Sequence, residues 1–288
     1  MGVKKMINFL LKSILILPRG GFFLIRLLCK IVPSLRSYNL NLKSAKNVKL
    51  SVDLGESVFF PLIKYGYYPP QVTEDFVIKC VVNPEGTVLD VGANIGWMSL
   101  IFAECVGANG AVYAFEPSAK IYGYLEQLAD QRSQIKPICK AVSNTNDDVF
   151  FENEAASNLS HIAQEPSKSG ELVECITIDE FMCSNNIPRV DFIKVDAEGH
   201  DVEVLKGANE TLDQHSPIVM FEALGSLELK SIISLLDKKF LIYRIFNQYP
   251  FSAISNFNAT NNYFAVPQKR LNDIPKFLFH HGFLTPLD

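Results

Sequence analysis

Between Gly86 and Phe221 the chain repeats one pattern: a short apolar run, a turn carrying glycine or an acid, then a stretch with helical periodicity. The runs are Gly86–Val91, Ala111–Phe115, Lys136–Val142, Val190–Val195 and Pro217–Phe221. Helical stretches begin at Gly96, after Pro117, and at Thr177, His200 and Gly225. Strand and helix in alternation predict βαβ units around a parallel sheet. Phe240–Phe246 and Tyr263–Val266 add a terminal pair of strands. The expected fold is α/β, a doubly wound Rossmann-like sheet of seven mostly parallel strands with helices on both faces. Residues 145–176 are polar with short apolar patches and read as a β-hairpin insertion.

The first strand runs into Asp90-Val91-Gly92-Ala93-Asn94-Ile95-Gly96. Glycines at this place let backbone approach a ligand at the carboxyl edge of the sheet. A dinucleotide loop needs G-x-G-x-x-G, whereas here the order is Gly92-x-Asn94-x-Gly96. Asp90 would repel a phosphate and suits a cationic amine. Glu116 closes the second strand just before Pro117, about 20 residues beyond the glycine loop, where an acid accepts ribose hydroxyls. The fourth strand ends in Asp196, Glu198, Gly199 and His200. It should neighbour the first strand, and a carboxylate or imidazole there can take the proton from a hydroxyl under attack on a methyl sulfonium. Asp196 and Glu198 as caps of the following helix is the competing reading. Glu222, and Asn158 to His161 in the insertion, are further acceptor-side candidates.

These motifs resemble the FkbM family of methyltransferases. The likeness runs from about Val58 to Val266 and is carried by the Asp90–Gly96 loop, Phe115-Glu116-Pro117, Ala141-Val142-Ser143, Asp191–Gly199, Val204–Ala208 and Asn262–Pro267. Ala197 departs from it, the family more often having valine there. The resemblance implies a class I methyltransferase sheet with its last strand antiparallel. It implies S-adenosylmethionine contacts at Asp90, Gly92, Asn94, Gly96 and Glu116, with adenine near Val142 and Ser143. It implies O-methylation, in several members of a sugar hydroxyl on a glycolipid or polysaccharide, so the expected partner is a small-molecule or glycan acceptor. Two other classes remain: a NAD-dependent sugar-modifying oxidoreductase, and a non-catalytic methyltransferase-fold scaffold at a membrane.

The expected organisation is a basic, apolar N-terminal helical arm over 1–45, a lead-in and cofactor lid over 46–86 that includes Gly66–Thr73, the methyltransferase domain over 87–270, and a tail over 271–288. The arm stands out in charge. Residues 1–52 hold ten Lys or Arg and no acid, leaving 17 basic and 31 acidic residues in the rest. An acidic body argues against nucleic-acid binding. Within residues 6–35, Lys12, Arg19, Arg26 and Lys30 interrupt the apolar run, so no window is long enough to span a bilayer. Lys12 also spoils a signal-peptide reading, and Met6 fails the myristoylation pattern. Either the arm lies on an anionic membrane surface, or it packs as helices on the domain or on a second copy in a homo-oligomer. Six cysteines without a C-x-x-C pair predict buried reduced thiols and no metal site. That usage suits a cytoplasmic protein, peripheral at the inner membrane surface if the arm binds lipid.

Overall fold

A computed structural model describes residues 13–14, 21–152, 161–162, 170–236, 239–246 and 259–287. These fall into two compact units, one running to Pro70 and the other starting at Gln71. In the first, helix α1 (Gly21–Ile31) precedes an antiparallel pair, β1 (Ser37–Leu42) and β2 (Val48–Asp53), and helix α2 (Phe59–Tyr65). Its apolar centre joins Ile14, Ile25, Cys29, Leu54 and Phe60. The expected arm is therefore helical over α1, but by Ser37 it has become a strand.

The second unit opens with α3 (Val72–Val81) and then alternates: β3 (Thr87–Val91), α4 (Trp97–Val106), β4 (Ala111–Phe115), α5 (Ala119–Ala129), β5 (Ile135–Ile138). Short β6 (Ala141–Val142) and β10 (Cys175–Ile176) pair in parallel outside the main sheet. Between them, the insertion forms an antiparallel sheet of β7 (Val149–Glu152), β8 (His161–Ile162) and β9 (Gly170–Val173), ordered β8-β7-β9. Then follow α6 (Ile178–Ser184), β11 (Phe192–Val195), α7 (Asp201–Lys206), α8 (Asn209–His215), β12 (Ile218–Glu222), α9 (Ser226–Leu236), β13 (Phe240–Phe246), β14 (Ala259–Pro267), α10 (Lys276–His280) and β15 (Leu284–Pro286). Asn158–Ser160, the other insertion residues named above, lie outside the described residues.

The main sheet has the order β15-β13-β14-β12-β11-β3-β4-β5. From β12 to β5 all neighbours are parallel, and β14 runs antiparallel to both β12 and β13. Two sequence expectations are corrected here. The segment after Asp273 supplies β15 on the β13 edge, giving eight strands rather than seven. The single strand expected over 136–142 is two pieces, with β5 at the sheet edge, where Pro137 removes no needed N–H.

A third difference has a clear physical cause. The helix expected from His200 to Leu212 breaks at Gly207 into α7 and α8. A Cβ on Gly207 would meet the Ser143 carbonyl oxygen at 2.1 Å, so only glycine admits that crossing. The thiols are all free, as expected, but Cys139 and Cys183 are exposed rather than buried.

Strand alternation sorts the sheet into two faces. Leu89, Val91, Ile193, Val195, Val219 and Phe221 pack with Ile178, Phe181, Val204, Leu205, Leu212, Ile232 and Leu236 of the helices on one side. The other face carries Asp90, Lys194 and Met220 in register across three strands, then Glu222 opposite Asn262. Phe102 of α4 packs against Phe192 with the rings tilted and their centroids 5.3 Å apart, which places α4 over this second face.

Candidate functional site

The second face turns polar at the carboxyl edge. Asp90 and Lys194 are 0% and 3% exposed. Lys194 Nζ lies 3.4 Å from Asp90 Oδ1 and 3.1 Å from Asp196 Oδ2, and it donates to the Gly92 carbonyl at 3.4 Å. Ser99 donates to the other Asp90 oxygen at 2.5 Å. Burial works against the lysine charge, but the carboxylates of Asp196 and Asp90 outweigh it and hold the ammonium above the usual lysine range. One buried cation thus joins the base of the glycine loop to the carboxylate that ends β11.

The loop itself is tightly folded. Gly92, Asn94 and Gly96 all have positive φ, at 68°, 51° and 81°. A Cβ on Gly92 would stand 1.9 Å from the Asp196 carbonyl oxygen, so the two loops meet backbone to backbone. Glu116 is equally enclosed. Its oxygens accept from Asn94 N at 3.0 Å and Ser118 N at 2.9 Å, binding the glycine loop to the end of β4. Burial, opposed by those two bonds, raises its pKa to about 7. The loop that follows Asp90 and the acid closing the second strand therefore meet directly. Val142 and Ser143 are buried, with Ser143 Oγ 2.7 Å from His200 Nε2.

The three expected proton acceptors do not stay together. Asp196, with 31% of its side chain exposed, faces Glu198 and Glu222. Positive φ at Glu198 and Gly199, 49° and 88°, reverses the chain, and His200 turns to Ser143 instead. Burial lowers the His200 pKa and disfavours its charged form. Burial, reinforced by Asp196, raises both Glu198 and Glu222 to about 7.

Several residues of the site were not singled out by sequence reasoning. Asp201 accepts from Ala197 N and Glu222 N, both at 3.1 Å, and so ties the loop after β11 to the end of β12. At the start of α3, Glu74 is 1% exposed, and Asn262 donates to its Oε1 at 3.0 Å. Asp75 accepts from the Trp97 indole at 3.3 Å, next to the glycine loop. A polar row thus crosses the edge from β3 to β14: Asp90, Lys194, Asp196, Glu222, Asn262 and, above Asn262, Glu74.

This crowding of acids has a measurable consequence. Asp75, Glu116, Glu198 and Glu222 each rise to about 7, mainly through burial, from ordinary values of 3.8 for Asp and 4.5 for Glu. A raised acid stabilises the fold most below its unfolded value, and that stability is lost as pH climbs to the folded value. Ligand-free protein should melt at a lower temperature at pH 8 than at pH 6, and Glu222→Gln should shrink the difference. A melting temperature that rises across this interval would contradict the crowded edge.

A model of the methyltransferase FkbM domain matches residues 90–283. The chain belongs to the FkbM methyltransferase family. Among curated relatives, the hexuronic acid methyltransferase AglP of Haloferax volcanii is 31% identical over 152 residues, covering 52% of this chain and 60% of that protein. The match thus spans less than two thirds of that relative's length. Among solved structures, FkbM from Methylobacillus flagellatus is 18% identical with a TM-score of 0.44, covering 63% of this chain and 44% of that one. Fibrillarin of Aeropyrum pernix, with natively bound S-adenosyl-L-methionine, is 13% identical with a TM-score of 0.41, covering 65% and 68%. The FkbM assignment makes S-adenosylmethionine the cofactor and leaves the oxidoreductase and scaffold readings without support. Among the described residues, no helix is long and apolar enough to cross a membrane, and no three His, Cys, Asp or Glu are placed to hold a metal ion.

Proposed function

We propose that this FkbM domain transfers a methyl group from S-adenosylmethionine to a hydroxyl of a carbohydrate or glycolipid. When bound, that cofactor supplies an electrophilic methyl on a positively charged sulfur. The residues present fit it. Glu116, fixed by two backbone N–H groups, keeps lone pairs for a ribose diol. The N–H groups of Ala93, Asn94, Ile95 and Gly96 are bonded to Phe115 O, Glu116 Oε2, Asn94 Oδ1 and Ala93 O, which fixes the glycine loop, and the acids at the ends of β11 and β12 suit a cation.

The observation that carries the reading is Asp196, a half-buried carboxylate fixed at 3.1 Å by a buried lysine whose other contacts are the cofactor loop and Asp90. Asp196 is thereby aimed rather than loose, as in-line transfer requires. It would accept the proton that the acceptor hydroxyl gives up on methylation. Lys194 is the positioning residue, and Glu198 and Glu222 form the wall beside the acceptor. The name of AglP supports the sugar class. The three carboxylates at this edge favour a neutral hydroxyl over a carboxylate as the methylated group, because a second anion would be repelled.

Tritiated S-adenosylmethionine offered with neutral glycans and with the matching hexuronates tests this. Asp196→Asn should lower kcat by about 10²- to 10⁴-fold, with cofactor affinity changed less than about threefold. Near-normal turnover in that variant, or transfer confined to uronate carboxylates, would overturn the assignment.

A further inference from the structure

Helix α1 is apolar on two sides. With 3.6 residues per turn, Ile25, Leu28 and Cys29 share one face, and they pack towards Leu54 and Phe60. Opposite them, Phe23, Leu27 and Ile31 form a second stripe at intervals of four. Phe23 and Ile31 are 73% and 68% exposed, and Leu24, Leu27 and Val32 are also open to solvent. A single apolar face would have sufficed to hold the helix on its unit. Exposed side chains of this size, lined along one side of the helix from Phe23 to Ile31, mark a contact surface.

The charge beside the stripe says what meets it. Arg26 and Lys30, both exposed, flank it one turn apart, and no acidic residue occurs before Asp53. We propose that α1 lies in the headgroup region of an anionic bilayer, with Phe23, Leu27 and Ile31 inserted and Arg26 and Lys30 on lipid phosphates. An 11-residue helix is about 16 Å long, roughly half the hydrocarbon thickness, so it lies along the surface rather than crossing it. Apolar insertion and basic attraction are each weak, and together they suffice for reversible attachment. A twofold contact with another copy would set Arg26 and Lys30 against their own equivalents, a like-charge arrangement. The proposal goes beyond methyl transfer, adding attachment to lipid.

Flotation of the full chain with vesicles tests the proposal. Vesicles of phosphatidylcholine with roughly 30% phosphatidylglycerol should carry the protein at least about tenfold better than phosphatidylcholine alone. The excess should fall in about 0.5 M salt, where the Debye length shortens to a few ångströms. The triple variant Phe23→Ser, Leu27→Ser, Ile31→Ser changes only exposed positions, so its melting temperature should stay at the wild-type value while flotation drops about tenfold. Equal recovery on both vesicle types, or flotation unaffected by the triple variant, would overturn the proposal. So would a dimer in sedimentation that the same variant dissolves while vesicles capture nothing.

Discussion

Lys194→Met should lower the melting temperature of the protein by on the order of 10 °C. The lysine is 3% exposed and balances Asp90, which is wholly buried, as well as Asp196. Replacing it with an uncharged side chain of similar length leaves Asp90 facing Ser99 alone. Breaking a buried pair by removing one partner costs about 3–5 kcal/mol, since the remaining charge is neither hydrated nor matched. Against the total stability of a domain this is large. The loss should be mostly recovered in Lys194→Met combined with Asp90→Asn, because no uncompensated charge then remains inside. Thermal unfolding followed by circular dichroism at pH 8 reads both. A Lys194→Met protein as stable as wild type would mean that the cation contributes nothing at the centre of the site, and the link between loop and base would fall with it.

Glu116→Ala carries the other large effect, on binding rather than folding. Its carboxylate stands where the glycine loop meets the end of β4. Two hydroxyl bonds to a charged acceptor are worth about 1.5–3 kcal/mol each, and every 1.4 kcal/mol is about tenfold in affinity. A loss of roughly 100-fold or more in S-adenosylmethionine affinity is therefore expected. Glu116→Gln, which keeps one acceptor oxygen, should fall between the two.

How much of this was legible in the sequence depended on distance along the chain. Asp90 to Gly96 and Glu116 were readable because the spacing of a βα turn and the next strand's end is local chemistry. The expectation that the strand ending at Val195 lies beside the first strand is met by β11 pairing with β3. Lys194 was visible as a charge within the apolar stretch Phe192–Val195, and a lysine inside a buried strand requires an anionic partner. That signal was present and went unused. Glu74 and Asn262 are 188 positions apart, and only the finished sheet brings them together. Asp201 resembles any acid in the first turn of a helix; nothing local says that its carboxylate turns back to two loop N–H groups. His200 follows Asp196 so closely that grouping them was natural, yet two left-handed residues between them send the imidazole to Ser143. The break at Gly207 escaped for the same reason as Glu74, since its cause is a carbonyl from a distant loop.

A cofactor site where the loop after Asp90 meets Glu116 is tested most directly by calorimetric titration of the full chain with S-adenosylmethionine, wild type beside Glu116→Ala. The expected result is saturable binding of one molecule per chain, weakened roughly 100-fold or more by the substitution. Absence of binding to the wild type, or equal affinity in the two proteins, would contradict a nucleoside site at the meeting of these strand ends.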